Sequence, residues 1–152
     1  LVKLDISDCG IGDDALAMLF QGLSESVTPR LEVLNVARNS KANEDFGASK
    51  WLVRMFNHLK VLKSLDVSGG RDRKTTKSKL YWSLDLKPFF KNLKDTDTSI
   101  VTINASCNGL KDTDVNLLIN SINNRSTLKT VDIRGNENVT SLTAKRLMAI
   151  LK

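Results

Sequence analysis

The sequence predicts an α/β solenoid, with a parallel sheet along one side and a layer of helices along the other. Two observations predict it. A short apolar frame recurs five times from one end of the chain to the other, and between its copies lie stretches with apolar residues three and four apart. The frame is the pattern of a strand that buries one face; the intervening spacing is that of a helix that buries one stripe.

The frame puts an apolar residue at its positions 1, 4 and 6 and Asn, Cys or Gly at position 9. "LVKLDISDC" supplies Leu1, Leu4, Ile6 and Cys9, and "LEVLNVARN" supplies Leu31, Leu34, Val36 and Asn39. "LKSLDVSGG" supplies Leu62, Leu65, Val67 and Gly70. "IVTINASCN" and "LKTVDIRGN" supply Ile100, Ile103, Ala105 and Asn108, then Leu128, Val131, Ile133 and Asn136. Copies start 30, 31, 38 and 28 residues apart. This is the leucine-rich-repeat frame. Units of this length hold a full helix, so the expected fold is a ribonuclease-inhibitor-type leucine-rich-repeat solenoid, with a concave parallel sheet and convex helices. The expected division is one solenoid of five repeats: 1–30, 31–61, 62–99, 100–127 and 128–152.

Each strand is short. Positions 4 and 6 point to the core, and position 9 ends the strand with a residue able to bond backbone that has left the ladder. Each helix follows. "DDALAMLFQGL" puts Leu16, Leu19, Phe20 and Leu23 on one stripe, and "FGASKWLVRMFNHL" does the same for Leu52, Met55, Phe56 and Leu59. "SLDLKPFFKNL" reads as a shorter helix, with Pro88 in its first turn and Leu86, Phe89, Phe90 and Leu93 buried. "DTDVNLLINSI" gives Val115, Leu118, Ile119 and Ile122, and "SLTAKRLMAIL" gives Ala144, Leu147, Met148 and Leu151. Asp13 and Asp112 stand where an N-cap is needed. The first frame has no polar cap before it and the last helix none after it, so further repeats are expected on at least one side.

The residue between positions 4 and 6 faces out of the sheet. It is Asp5, Asn35, Asp66, Asn104 and Asp132 in turn, a ladder of acidic and amide groups. With Arg38 and Arg134 it forms the candidate partner-binding surface. Asp and Asn are also common here for structural reasons, and the flanking positions are small and mixed in charge, without the large aromatic anchors of a binding hot spot.

The longest spacing, 38 residues, contains "RDRKTTKSK". Arg71, Arg73, Lys74, Lys77 and Lys79 stand there against Asp72 alone, most of a net charge of +6. The frame before it is intact, so the run is expected as a basic insertion in the loop leaving the third strand. It is either a solvated loop or an electrostatic contact to an acidic protein or an anionic membrane, which phosphorylation of Thr75, Thr76 or Ser78 would cancel.

Other function classes find little in the composition. Aromatic residues are 5% of the chain, so base-stacking platforms are not expected, nor is nucleic-acid binding. His58 is the single histidine, and with only Cys9 and Cys107 beside it no zinc site or catalytic set is expected; neither is any cofactor or enzymatic activity. Cys9 reads as a position-9 structural residue. It lies three strand steps from Cys107, roughly 14 Å or more, beyond the ~7 Å of a disulfide. The sequons at Asn104, Asn124 and Asn138 are expected to be unused. No apolar run reaches the length of a membrane span.

Two phrases, "LVKLDISDCGIGDDALAMLFQGL" and "STLKTVDIRGNENVTSLTAKRLMAIL", together with an overlong repeat carrying a charged insertion between Gly70 and Ser99, resemble the leucine-rich-repeat domain of the CARMIL proteins, linkers of capping protein, actin nucleator and myosin I. Tropomodulin-like repeats and the repeats of innate immune receptors are similar in kind. The resemblance implies a non-enzymatic scaffold for protein partners, cytoskeletal regulators among them, that regulates actin assembly at membranes. It also implies a cytoplasmic location at the cell cortex. The alternative is a recognition domain of an immune receptor or effector. The capping-protein-binding motif of that family lies in a tail that has no counterpart here.

Overall fold

A computed structural model describes residues 1–26, 30–39, 47–71, 80–95, 98–122 and 127–151. Five three-residue strands form one parallel sheet: β1 (Lys3–Asp5), β2 (Val33–Asn35), β3 (Ser64–Asp66), β6 (Thr102–Asn104) and β7 (Thr130–Asp132), side by side in that order. Strands β4 (Gly70–Arg71) and β5 (Leu80–Trp82) make a separate antiparallel pair. The helices are α1 (Asp13–Ser24), α2 (Gly47–His58), α3 (Lys87–Asn92), α4 (Asp112–Ser121) and α5 (Ser141–Ile150), with a single 3₁₀ turn at Leu93–Asp95. The fold is the predicted α/β repeat, a parallel sheet alternating with helices.

The register follows the frame. Leu4, Leu34, Leu65, Ile103 and Val131 line up across the sheet. Leu34, Leu65 and Ile103 are completely buried, while Leu4 and Val131, on the edge strands, are half-buried. Val36, Val67 and Ala105 at position 6 are likewise fully buried. Leu1, a frame position, is 76% exposed, because β1 has a strand on one side only.

The helices bury the stripes their spacing indicates. Leu52, Met55 and Phe56 of α2 and Leu59 just beyond it are buried, as are Val115, Leu118, Ile119 and Ile122 at α4. On α1, Leu16 and Phe20 are fully buried and Leu19 and Leu23 partly so. The core is aromatic between α2 and α3: Phe56 meets Phe89 edge-on with centroids 4.9 Å apart, and Phe90 lies 5.9 Å from Phe89. Leu86 is buried beside them and Leu93 is partly buried.

Three expectations need correction. Met148 is not core but 72% exposed: α5 packs against α4 alone among the helices, so one flank of its stripe meets solvent. Asp13 and Asp112 are the first helical residues, not the caps. Gly12 precedes α1 without a side-chain cap. At α4 the cap is supplied from inside the helix, where Asp114 Oδ2 accepts the Lys111 N–H at 2.9 Å. Asp112 Oδ1 instead accepts the Thr140 N–H at 2.8 Å and tethers the start of α5.

The basic insertion is also more than a loop. Its ends pair as β4 and β5, Gly70 opposite Trp82 and Arg71 opposite Leu80. The chain rejoins the core at Leu84, whose N–H donates to Asn108 Oδ1 at 3.0 Å. Leu84 follows Gly70 by 14 positions, yet it takes the place that Ile11 and Leu110 hold two positions after Cys9 and Asn108.

Candidate interaction surface

The outward-facing row of the sheet is continuous. Asp5 pairs in register with Asn35, Asn35 with Asp66, Asp66 with Asn104 and Asn104 with Asp132. The structure therefore brings all five candidate residues into one line across five strands. The alternation of the pleat puts them on the face opposite Leu34, Leu65 and Ile103.

Each of these side chains also serves its own backbone. The Oδ1 atoms of Asp5, Asn35, Asp66, Asn104 and Asp132 accept the N–H two residues on, from Ser7, Ala37, Ser68, Ser106 and Arg134, at 2.9 to 3.1 Å. These Asx turns bend the chain out of the strand. Neighbours also bond sideways: Asn35 Nδ2 donates to Asp5 Oδ2 at 3.1 Å, and Asn104 Nδ2 to Asp66 Oδ2 at 3.0 Å. Alternating Asp and Asn along the row lets amides bridge carboxylates and keeps like charges apart.

At the two ends of the row these contacts favour the charged carboxylate. The Ser7 N–H, with help from the Ser7 hydroxyl and Asn35, holds the Asp5 carboxyl below the usual aspartate value. The Arg134 guanidinium does the same for Asp132, its Nε donating to Oδ1 and Oδ2 at 3.0 Å each. Arg134 is held above its ordinary value in return. Arg38 and Arg134 are both exposed at the end of the row where the strands turn out.

That turn has a common conformation the frame does not announce. Asp8, Arg38, Cys107 and Gly135 occupy position 8 of their repeats, and all four have left-handed backbone, with φ between 52° and 71°. Gly69, the equivalent residue of the third repeat, is not left-handed; there the chain leaves for β4. Asp, Arg and Cys accept this conformation at some cost. The signal was hard to see, since only Gly135 and Gly69 are the residue type that favours it.

Of the basic insertion, residues 72–79 lie outside the described residues, and with them Arg73, Lys74, Lys77, Lys79, Thr75, Thr76 and Ser78. Arg71 is placed by its backbone in β4. Cys9 and Cys107 are free thiols. Cys9 donates its N–H to Asn39 Oδ1 at 3.1 Å. His58 closes α2, its Nε2 2.8 Å from the Ser26 carbonyl oxygen after α1. Among the described residues no group of His, Cys, Asp and Glu could hold a metal ion, and no helix is long and apolar enough to cross a membrane. Asn104 is a strand residue with both amide atoms engaged; Asn124 lies outside the described residues.

No protein-family model matches the sequence. No curated protein matches it either. The fold is matched by a solved structure, the tropomodulin C-terminal domain of Caenorhabditis elegans, at a TM-score of 0.72 and 15% identity, covering 99% of this chain and 82% of that one. At that identity the likeness is one of fold alone.

Proposed function

We propose that this chain is a non-enzymatic protein-interaction scaffold that regulates actin assembly at membranes. The observation that carries the reading is the unbroken outward row from Asp5 to Asp132, which offers one partner a pre-ordered polar face five strands wide. The Asx turns and lateral amide bonds fix those side chains before a partner arrives, which lowers the ordering cost of binding. Arg38 adds an exposed guanidinium group, suited to carboxylates, at the margin of the face, and Arg134 there is held on the Asp132 carboxylate. The actin context rests on the resemblance of the repeat phrases to the CARMIL proteins, in the company of a fold shared with a tropomodulin domain.

In this reading the partners are cytoskeletal regulators, the protein works in the cytoplasm at the cell cortex, and the basic insertion Arg71, Arg73, Lys74, Lys77 and Lys79 adds a salt-sensitive contact to an anionic surface. The test is capture of purified capping protein and myosin I on the immobilised chain, with actin-filament end growth measured in parallel. Binding weakened by Arg38→Ala with Asp66→Ala supports the reading. An intact chain that captures neither protein and leaves filament growth unchanged eliminates it.

A further inference from the structure

The helix layer carries a second surface, one that owes nothing to the sheet face. Helix α2, "GASKWLVRMFNH", and helix α3, "KPFFKN", contain no acidic residue. They lie side by side, clamped where Asn57 and Asn92 exchange amide hydrogen bonds of 3.3 and 2.7 Å. On α2, Lys50 and Arg54 are four apart and exposed; on α3, Lys87 and Lys91 repeat that spacing, and Lys94 follows three later in the 3₁₀ turn. Residues so spaced share one face of a helix. The two helices thus present parallel lines of positive charge. Lys87 has a weak partner in Asp114 at 4.0 Å; Lys50, Lys91 and Lys94 have no ion-pair partner among the described residues. By contrast α1 and α4 contain acidic residues and no basic ones.

A shallow cleft of about 380 Å³ adjoins these lines where α2 meets the end of α1. Trp51 and Arg54 line it, with His58 and Asn57 below and Ser24 and Glu25 across. The Arg54 guanidinium lies 5.0 Å from the Trp51 ring centre, a cation–π contact that holds both side chains in place. Trp and Arg are the side chains most often found to anchor protein partners. Glu25 is occupied in part by Gln21, whose Nε2 donates to it at 3.1 Å.

We infer that the α2–α3 face docks an acidic segment of a partner protein, whose carboxylates pair with Lys50, Arg54, Lys87 and Lys91 while one of its apolar side chains enters the cleft beside Trp51. Charge complementarity selects an acidic occupant. The cleft selects a peptide over a bilayer. A membrane surface favours large apolar side chains that stand proud of the basic ones, whereas Trp51 is half-buried beneath Arg54, and apart from Pro88 the exposed positions of α2 and α3 are charged or amide.

The test uses the full chain and a fluorescein-labelled peptide of glutamates flanking one phenylalanine, followed by anisotropy. Binding should saturate, weaken with added salt, and fall roughly tenfold or more on Arg54→Glu with Lys91→Glu. Arg54→Lys, which keeps the charge but loses the planar stack on Trp51, should show an intermediate loss. Reversing two exposed charges away from both surfaces, Lys129→Glu with Lys145→Glu, should leave peptide binding as it was. Circular dichroism on each variant confirms that the fold is retained. The inference is overturned if the peptide does not saturate, or if charge reversal on α2 and α3 leaves its binding unchanged. It is equally overturned if vesicles of phosphatidylcholine and phosphatidylserine, rather than the peptide, are bound in a way that depends on Arg54 and Lys91.

Discussion

Asn136 holds a turn that belongs to Asn108: its Oδ1 accepts the Asn108 N–H at 2.9 Å and the Leu110 N–H at 3.0 Å. Its Nδ2 donates to the Ala105 carbonyl at 3.2 Å and to the Ile133 carbonyl at 2.7 Å. Asn39, three frames earlier in the chain, makes the same four bonds, to the N–H groups of Cys9 and Ile11 and the carbonyls of Ile6 and Val36. An asparagine amide has two donor hydrogens and one carbonyl oxygen with two lone pairs, so both side chains are fully used. A position-9 asparagine therefore stitches its own repeat to the one before.

The first prediction concerns that stitch. Asn136→Ala strands two buried N–H groups, each costing about 1–3 kcal/mol, so unfolding free energy should fall by about 3 kcal/mol or more. Asn138→Ala, two residues on and exposed, should change it by less than about 0.5 kcal/mol. Urea denaturation of both variants checks the contrast. Equal effects would show that the Asn136 bonds contribute nothing particular.

A second prediction follows from the left-handed turn. Cys107 has φ of 54°. A β-branched side chain fits poorly there, so Cys107→Val should cost roughly 1–2 kcal/mol. Cys107→Gly should be nearly neutral, since relief of that strain offsets the entropy glycine loses on folding. The same pair at a surface site with ordinary backbone would rank the other way. Thermal unfolding of the two variants decides the order.

Much of this was legible because the frame is enforced by geometry. Leu34, Leu65 and Ile103 must face the core for the strands to pair, so their spacing announces the strands. The aromatic and aliphatic stripes of α2 and α4 announce helices for the same reason. Less was legible where a residue acts on another repeat. Asp112 has the right type and place for an N-cap, but its carboxylate reaches Thr140 across to α5, and nothing local distinguishes the two uses. Met148 shares the spacing of Leu147's stripe and differs only in having no neighbour on its flank. The α2–α3 basic face was not read from the sequence: Lys50 and Arg54 stand far along the chain from Lys87 and Lys91, and it is the Asn57–Asn92 clamp and the Phe56–Phe89 contact that set the two lines side by side.

Acid should weaken the fold through three carboxylates. Asp112 is held below the usual aspartate value mainly by the Thr140 N–H, Asp5 by the Ser7 N–H and Asp132 by Arg134. A carboxyl whose value is lower folded than unfolded contributes stability above its unfolded value of about 4. That contribution is lost as pH falls through the folded value. Denaturation midpoints should be level near neutral pH and drop below about pH 4. Asp112→Asn keeps an oxygen to accept from Thr140 but has nothing to titrate, so its midpoint should fall less steeply with acid. An unchanged slope would remove Asp112 from the account.

The last prediction separates the basic insertion from the core it interrupts. Arg71 lies opposite Leu80 in the antiparallel pair, so a two-residue Asn-Gly turn can close the hairpin in place of residues 72–79. Closure entropy depends only logarithmically on loop length, so this shortening should leave stability unchanged or raise it by up to about 1 kcal/mol. Leu84 is different. It is 3% exposed, packs in the main core and donates its N–H to Asn108. Leu84→Ala should therefore cost about 2–4 kcal/mol. If the shortened chain unfolds as readily as the Leu84 variant, the insertion is part of the fold; if it matches the parent, the four positive charges of residues 72–79 are free to be judged on binding alone.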